Sequence, residues 1–157
     1  MLTITIPGRA SYALAHLVLD YNGTLALDGE LLPGVGEALV ALAGSLELHV
    51  VTADTHGSVH RALAGLPCRV VVLDAGAQDE AKCALVESLG AGQCVAIGNG
   101  YNDARMLRAA ALGIAVLQEE GTAVPALLAA DIAVRSIQDA LHLLRRPARL
   151  IASLRNA

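Results

Sequence analysis

The stretch Leu17–Gly29, LVLDYNGTLALDG, decides how the rest of the chain is read. A run of aliphatic residues stops at Asp20 and gives way to Tyr-Asn-Gly-Thr, which is turn chemistry and not more strand. Such a run is a core strand whose last side chain faces outward, so Asp20 is expected at the carboxyl end of a strand.

Short β-branched runs continue to alternate with segments of helical period on the far side of this stretch. HLVLD, LELHVVTAD, RVVVLD, CVAIGNG, LGIAVL and DIAVRS read as strands, with GVGEALVALAGSL, THGSVHRALAGL, QDEAKCALVESLG and NDARMLRAAA as helices between them. Strand, helix, strand is a parallel crossover unit, and continuous apolar strands require helices on both faces of the sheet. The expected fold class is α/β, a doubly wound three-layer α/β/α Rossmann-like domain spanning residues 1–157 as one unit. A final helix over about 136–154 is expected to pack on the core or at an oligomer interface. The amino-terminal MLTITIPGRASYALAH alternates like an edge strand and turns at Pro7-Gly8; it lacks the pattern of an export signal.

Composition narrows the function. At 157 residues the chain buries roughly 70% of its unfolded surface on folding, enough to need neither disulfide nor metal as a staple. A net charge of −4 and 2% aromatic residues offer neither the basic footprint nor the stacking rings of a nucleic-acid binder. The chain is 55% hydrophobic, yet charge, Gly or Pro interrupts every apolar run well before the roughly 18 residues of a spanning helix, so no membrane partner is expected. Cys68, Cys83 and Cys94 are odd in number and far apart, which suits buried thiols in a reducing, cytoplasmic setting.

In an open parallel sheet, ligands bind off the carboxyl ends of the strands. Following each strand outward collects Asp20 and Asn22, then Thr52 and Asp54, then Asn99, Asn102 and Asp103. Lys82, near the start of QDEAKCALVES, adds a flexible cation within reach of the same edge. Carboxylates, a hydroxyl and a lysine on one edge describe a site for phosphate and metal. Asp54 also reads as the cap of a helix beginning near Thr55. His56 and His60 share a helix face but have no third ligand in sight.

Taken in order, these residues resemble the haloacid dehalogenase superfamily of aspartate-nucleophile phosphotransferases, and within it a stand-alone P-type ATPase phosphorylation domain. Asp20, Gly23 and Thr24 match its Asp-x-x-Gly-Thr motif, Thr52 its strand-closing hydroxyl, Lys82 its lysine, and GNGYND from Gly98 to Asp103 resembles the ATPase GDGxND. The resemblance implies a phosphatase or phosphotransferase with Asp20 as nucleophile and metal ligand. It implies Gly23, Thr52 and Lys82 as phosphate-binding groups, Thr24 as the residue pinning the turn, and Mg²⁺ held by Asp20, Asn22, Asn99 and Asp103.

Two positions depart from the family. Asn22 stands where hydrolytic members carry a second aspartate as general acid and base, and Asn99 stands where a metal-binding aspartate is usual. Slow turnover through a long-lived aspartyl phosphate is the expectation; a non-catalytic domain that binds phosphate or a partner is the alternative. The intervals Thr24–Thr52 and Thr52–Lys82 leave no room for the cap domain that selects substrates in many members. The implied partners are a small phosphorylated substrate or a phosphoprotein, with a homo-oligomer completing the site as a further option.

Overall fold

A computed structural model describes residues 1–54 and 57–157, so the expectations placed on Thr55 and His56 lie outside the described residues. The core is a six-stranded parallel sheet. In chain order its strands are β3 (His16–Asp20), β6 (Glu47–Thr52), β7 (Cys68–Val72), β8 (Cys94–Gly98), β9 (Leu112–Val116) and β10 (Ile132–Val134). Across the sheet they run β10-β9-β8-β3-β6-β7. The opening stretch therefore forms a central strand, flanked by β6 and β8, at the position where the strand order reverses.

Alternation along β3 assigns each residue to one of two cores. Leu17 and Leu19 join a cluster with Leu39 of α1 (Val35–Leu42), Val59 of α2 (Ser58–Ala62), Leu141 of α6 (Ile137–Arg145) and Leu150 of α7 (Pro147–Leu154). Val18 joins the opposite cluster with Val86 of α3 (Gln78–Leu89), Met106 of α4 (Ala104–Ala109) and Ala126 of α5 (Val124–Ala129). Burial of both sheet faces explains why the strands read as unbroken apolar runs.

Two expectations are revised. The carboxyl-terminal segment is two helices, because Pro147 has no N–H to continue α6 and Arg146 before it adopts φ −133°, ψ 72°. The amino-terminal segment does not sit on the edge of the main sheet: β1 (Leu2–Ile6) and β2 (Ala10–Leu14) form a separate antiparallel hairpin. Helix α2 begins at Ser58 with Gly57 at its N-cap, and the Asp54 carboxylate accepts a hydrogen bond from the Ser58 hydroxyl. After Asp20 the chain forms only the short hairpin of β4 (Ala26–Leu27) and β5 (Glu30–Leu31) before α1, and no cap domain is present among the described residues. No helix there is long and apolar enough to cross a membrane.

Candidate active site

Asp20 closes β3 and is 7% exposed. Lys82, five residues into α3, reaches over the sheet edge with Nζ 2.8 Å from Asp20 Oδ1 and 2.7 Å from Asp103 Oδ1. It also donates to Asn102 Oδ1 at 3.2 Å, whose amide in turn donates to Gln78. One buried ammonium thus faces two buried carboxylates, leaving one uncompensated negative charge.

The electrostatics follow from that count. Burial, together with the Asp103 charge, pushes Asp20 from its ordinary 3.8 up to about 7, against the pull of the Lys82 ammonium and its hydrogen bonds. Burial works to lower the Lys82 pKa, but the carboxylates of Asp20 and Asp103 outweigh it and leave the amine raised. Lys82 is therefore a firm cation at neutral pH, whereas Asp20 is poised to titrate there.

Asp103 is completely buried. Its Oδ2 accepts the backbone N–H groups of Asn99 at 2.9 Å and Gly100 at 2.8 Å, so the carboxylate holds the loop after β8 as well as the lysine. That grip explains Gly98, where an added Cβ would lie 2.8 Å from Asp103 Cβ. Gly23 is required twice over: its φ is +78°, and a Cβ there would lie 2.7 Å from Asn99 Nδ2.

Thr24 Oγ1 lies 3.1 Å from Asp20 Oδ2 and 3.2 Å from Asn99 Oδ1. Asp20 and Asn99 thus bring a carboxylate and an amide oxygen to one spot, a hard, all-oxygen donor set that suits Mg²⁺. The Asn99 amide is oriented by donating to Gly121 O at 3.0 Å. Thr52, at the tip of β6, is buried, and its hydroxyl accepts the Asp54 N–H at 3.1 Å. Asn22 is exposed and joined through its backbone to Ala26. The network therefore joins Asp20, Thr24, Lys82, Asn99 and Asp103 directly; Gly23 packs against it, Thr52 stands on the neighbouring strand tip, and the Asn22 side chain is turned to solvent. His60 is an exposed residue of α2.

Gln118 is a supporting residue that the motif reading passed over. Its Nε2 donates to Gly23 O at 3.1 Å and Thr24 O at 3.0 Å, and its Oε1 accepts Ile137 N at 2.7 Å. The signal was available, since Gln118 lies just past the carboxyl end of β9, where ligand-side groups collect. Gln118→Ala removes the partners of three backbone groups, so urea unfolding is expected to show a loss of about 1–3 kcal/mol; no change in the midpoint would show that solvent replaces them. Tyr21, in a stretch whose composition reads as turn, is buried, and its hydroxyl donates to Gly29 O at 3.0 Å, anchoring the hairpin to the core.

No protein-family model matches the chain. A 3-deoxy-D-manno-octulosonate 8-phosphate phosphatase from Moraxella catarrhalis, solved with magnesium, phosphate and KDO, superposes with a TM-score of 0.71 over 90% of this chain and 93% of its own, at 17% identity. The cobalt-bound deoxy-D-mannose-octulosonate 8-phosphate phosphatase of Haemophilus influenzae gives 0.70 over 85% and 88%, at 15% identity. A zinc-transporting PIB-type ATPase in its E2.Pi state gives 0.59 at 26% identity, covering 78% of this chain and 21% of the transporter.

The chain shares the fold of these phosphatases and of the transporter's domain, with no cap domain among its described residues. It is related in sequence to two uncharacterized proteins of Methanocaldococcus jannaschii. The first is 47% identical over 62 residues, covering 40% of this chain and 67% of its own; the second is 44% identical over 39 residues, covering 25% and 89%.

Proposed function

We propose that the chain is a Mg²⁺-dependent phosphohydrolase or phosphotransferase that works through an aspartyl phosphate at Asp20. The observation that carries this reading is the buried Lys82 ammonium held 2.8 Å from Asp20 Oδ1, beside the edge where a phosphoryl group would dock. An Asp20 oxygen attacks phosphorus, the bond from phosphorus to the leaving oxygen breaks, and that oxygen takes a proton from solvent. Water then attacks the phosphoryl group, the bond to Asp20 breaks, and orthophosphate leaves with the carboxylate restored. Lys82 and Thr52 serve the phosphoryl oxygens where charge develops, while the N–H groups of Gly23 and Thr24 hold the turn itself by donating to Ala26 O and Tyr21 O.

Asp20, the backbone carbonyl of Asn22, Asn99 and Asp103 would hold Mg²⁺, whose chemistry there is to shield the carboxylate from the anionic phosphate. The substrate side fits a small phosphorylated molecule, as in the sugar-acid phosphate phosphatases that share the fold. A cleft of about 240 Å³ adjoins Gly23, with Gln118, Glu120 and Arg135 in its wall, and gives a leaving group of modest size a place to lie.

Asn22 has no proton to exchange at neutral pH, and loss of a proton-transfer group typically costs about 10²–10⁴ in rate. Acetyl phosphate with Mg²⁺ is therefore expected to leave a hydroxylamine-labile label on Asp20 that decays slowly, and Asn22→Asp should speed its single-turnover decay by at least about tenfold. Absence of label from both proteins across several phosphoryl donors would favour the non-catalytic reading, for which the neutral Asn22 and Asn99 are the supporting observations.

A further inference from the structure

The opposite, amino-terminal edge of the sheet carries a second cluster. His16 opens β3 and Glu47 opens β6, and register pairs them directly; His49 follows two residues along β6 and so points to the same face. His16 Nδ1 lies 3.2 Å from His49 Nε2 and 3.7 Å from Glu47 Oε2, and the three ligand atoms all fall within 4.8 Å of one another. The imidazole rings are tilted at 53° with centroids 5.3 Å apart, so the nitrogens converge without the rings stacking. Four residues of strand at about 3.3 Å each separate this cluster from Asp20 by roughly 13 Å.

We propose that His16, Glu47 and His49 form a binding site for a borderline transition-metal ion of the Zn²⁺ class, separate from the phosphate edge. Two imidazole nitrogens at about 2.0–2.1 Å from a tetrahedral zinc stand roughly 3.3 Å apart, so the two histidines already have the separation of a ligand pair. Glu47, with its side chain 59% exposed, has the freedom to swing its carboxylate onto the ion as third ligand. His49 is 3% exposed and fixed within the sheet, while His16 and Glu47 border solvent, leaving a fourth position for water. Arg69 on β7 is the register partner of His49 and adds an opposing positive charge, which the Glu47 carboxylate partly offsets. Two imidazoles and one carboxylate select Zn²⁺, Co²⁺ or Ni²⁺ over Mg²⁺, which prefers oxygen. The bound ion would tie the first residue of β3 to β6 at the end of the sheet remote from catalysis.

The test is titration of the full chain with Co²⁺ in excess Mg²⁺, read by visible d–d absorption, followed by displacement with Zn²⁺. One equivalent is expected to give the intense bands of a four- or five-coordinate ion. His16→Gln and the solvent-facing Glu47→Gln should each weaken Zn²⁺ at least tenfold, since losing even an outer-shell partner costs about 10–100-fold. Asp20→Asn should leave this signal unchanged, and Zn²⁺ should raise the thermal midpoint of the wild type more than that of Glu47→Gln. Absence of the bands, Zn²⁺ affinity unchanged in both ligand variants, or loss of the signal in Asp20→Asn would overturn the proposal and leave the two imidazoles as a simple hydrogen-bonded pair.

Discussion

Asp20→Asn is expected to lower phosphoryl transfer by about 10⁴-fold or more, the scale on which loss of a nucleophile or its partner acts, and to abolish acyl-phosphate labelling without unfolding the chain. The same substitution has a stability signature with a definite sign. The folded-state pKa of Asp20 is raised from 3.8 to about 7, so the folded chain holds its proton more tightly than the unfolded chain does. The associated stability is fully present below the unfolded value and is lost as pH rises through about 7. Asparagine cannot ionise, so the variant should melt above the wild type at pH 8, with the gap closing toward pH 5. A difference of a few degrees is expected, because about 1 kcal/mol moves the midpoint by 2–4 °C in a domain of this size. Melting curves for the two proteins that stay parallel from pH 5 to 8 would show that Asp20 does not titrate there. Wild-type levels of labelling in the variant would remove Asp20 as nucleophile.

Lys82→Met should have the largest effect on folding. The methionine keeps most of the side-chain volume but leaves Asp20 and Asp103 facing each other without a cation. Breaking a buried charge pair by removing one partner costs about 3–5 kcal/mol. Urea unfolding at pH 8 should show a loss of that size, shrinking as the pH falls and Asp20 takes up a proton. A loss below 1 kcal/mol would mean that solvent reaches the pair and screens it. Activity should fall as well, and acid pH should not rescue it, because the missing charge serves the phosphoryl oxygens as well as the fold.

The core of this arrangement could be read from the chain because its signals are local. A strand that stops at an aspartate, a glycine placed to reverse the chain and an asparagine-aspartate pair after CVAIG each announce a strand tip without reference to anything distant. Asp20 and Asp103 were found in this way, and Lys82 through its place near the start of a helix. What was not legible depends on long-range partners. Gln118 has no motif of its own and matters because the chain brings it to Gly23, 95 residues away. The His16–His49 pair is invisible along the sequence because strand register creates it. The break in the carboxyl-terminal segment is hidden in the sequence because the apolar periodicity runs on through Pro147, although the helical backbone does not.

The central position of β3 also bears on how the molecule is made. This strand is the first of the parallel sheet to leave the ribosome, and β6 soon offers it one partner. Its other edge waits for β8, which ends at Gly98. At synthesis rates of about 5–20 residues per second, the 78 residues between Asp20 and Gly98 take roughly 4–16 s to appear. Throughout that interval an aliphatic strand has an unpaired edge, which makes the nascent chain a target for chaperones or for mispairing with its neighbours. Because Asp20 rides on that strand, its site cannot close before β8 and the loop carrying Asn99 and Asp103 arrive.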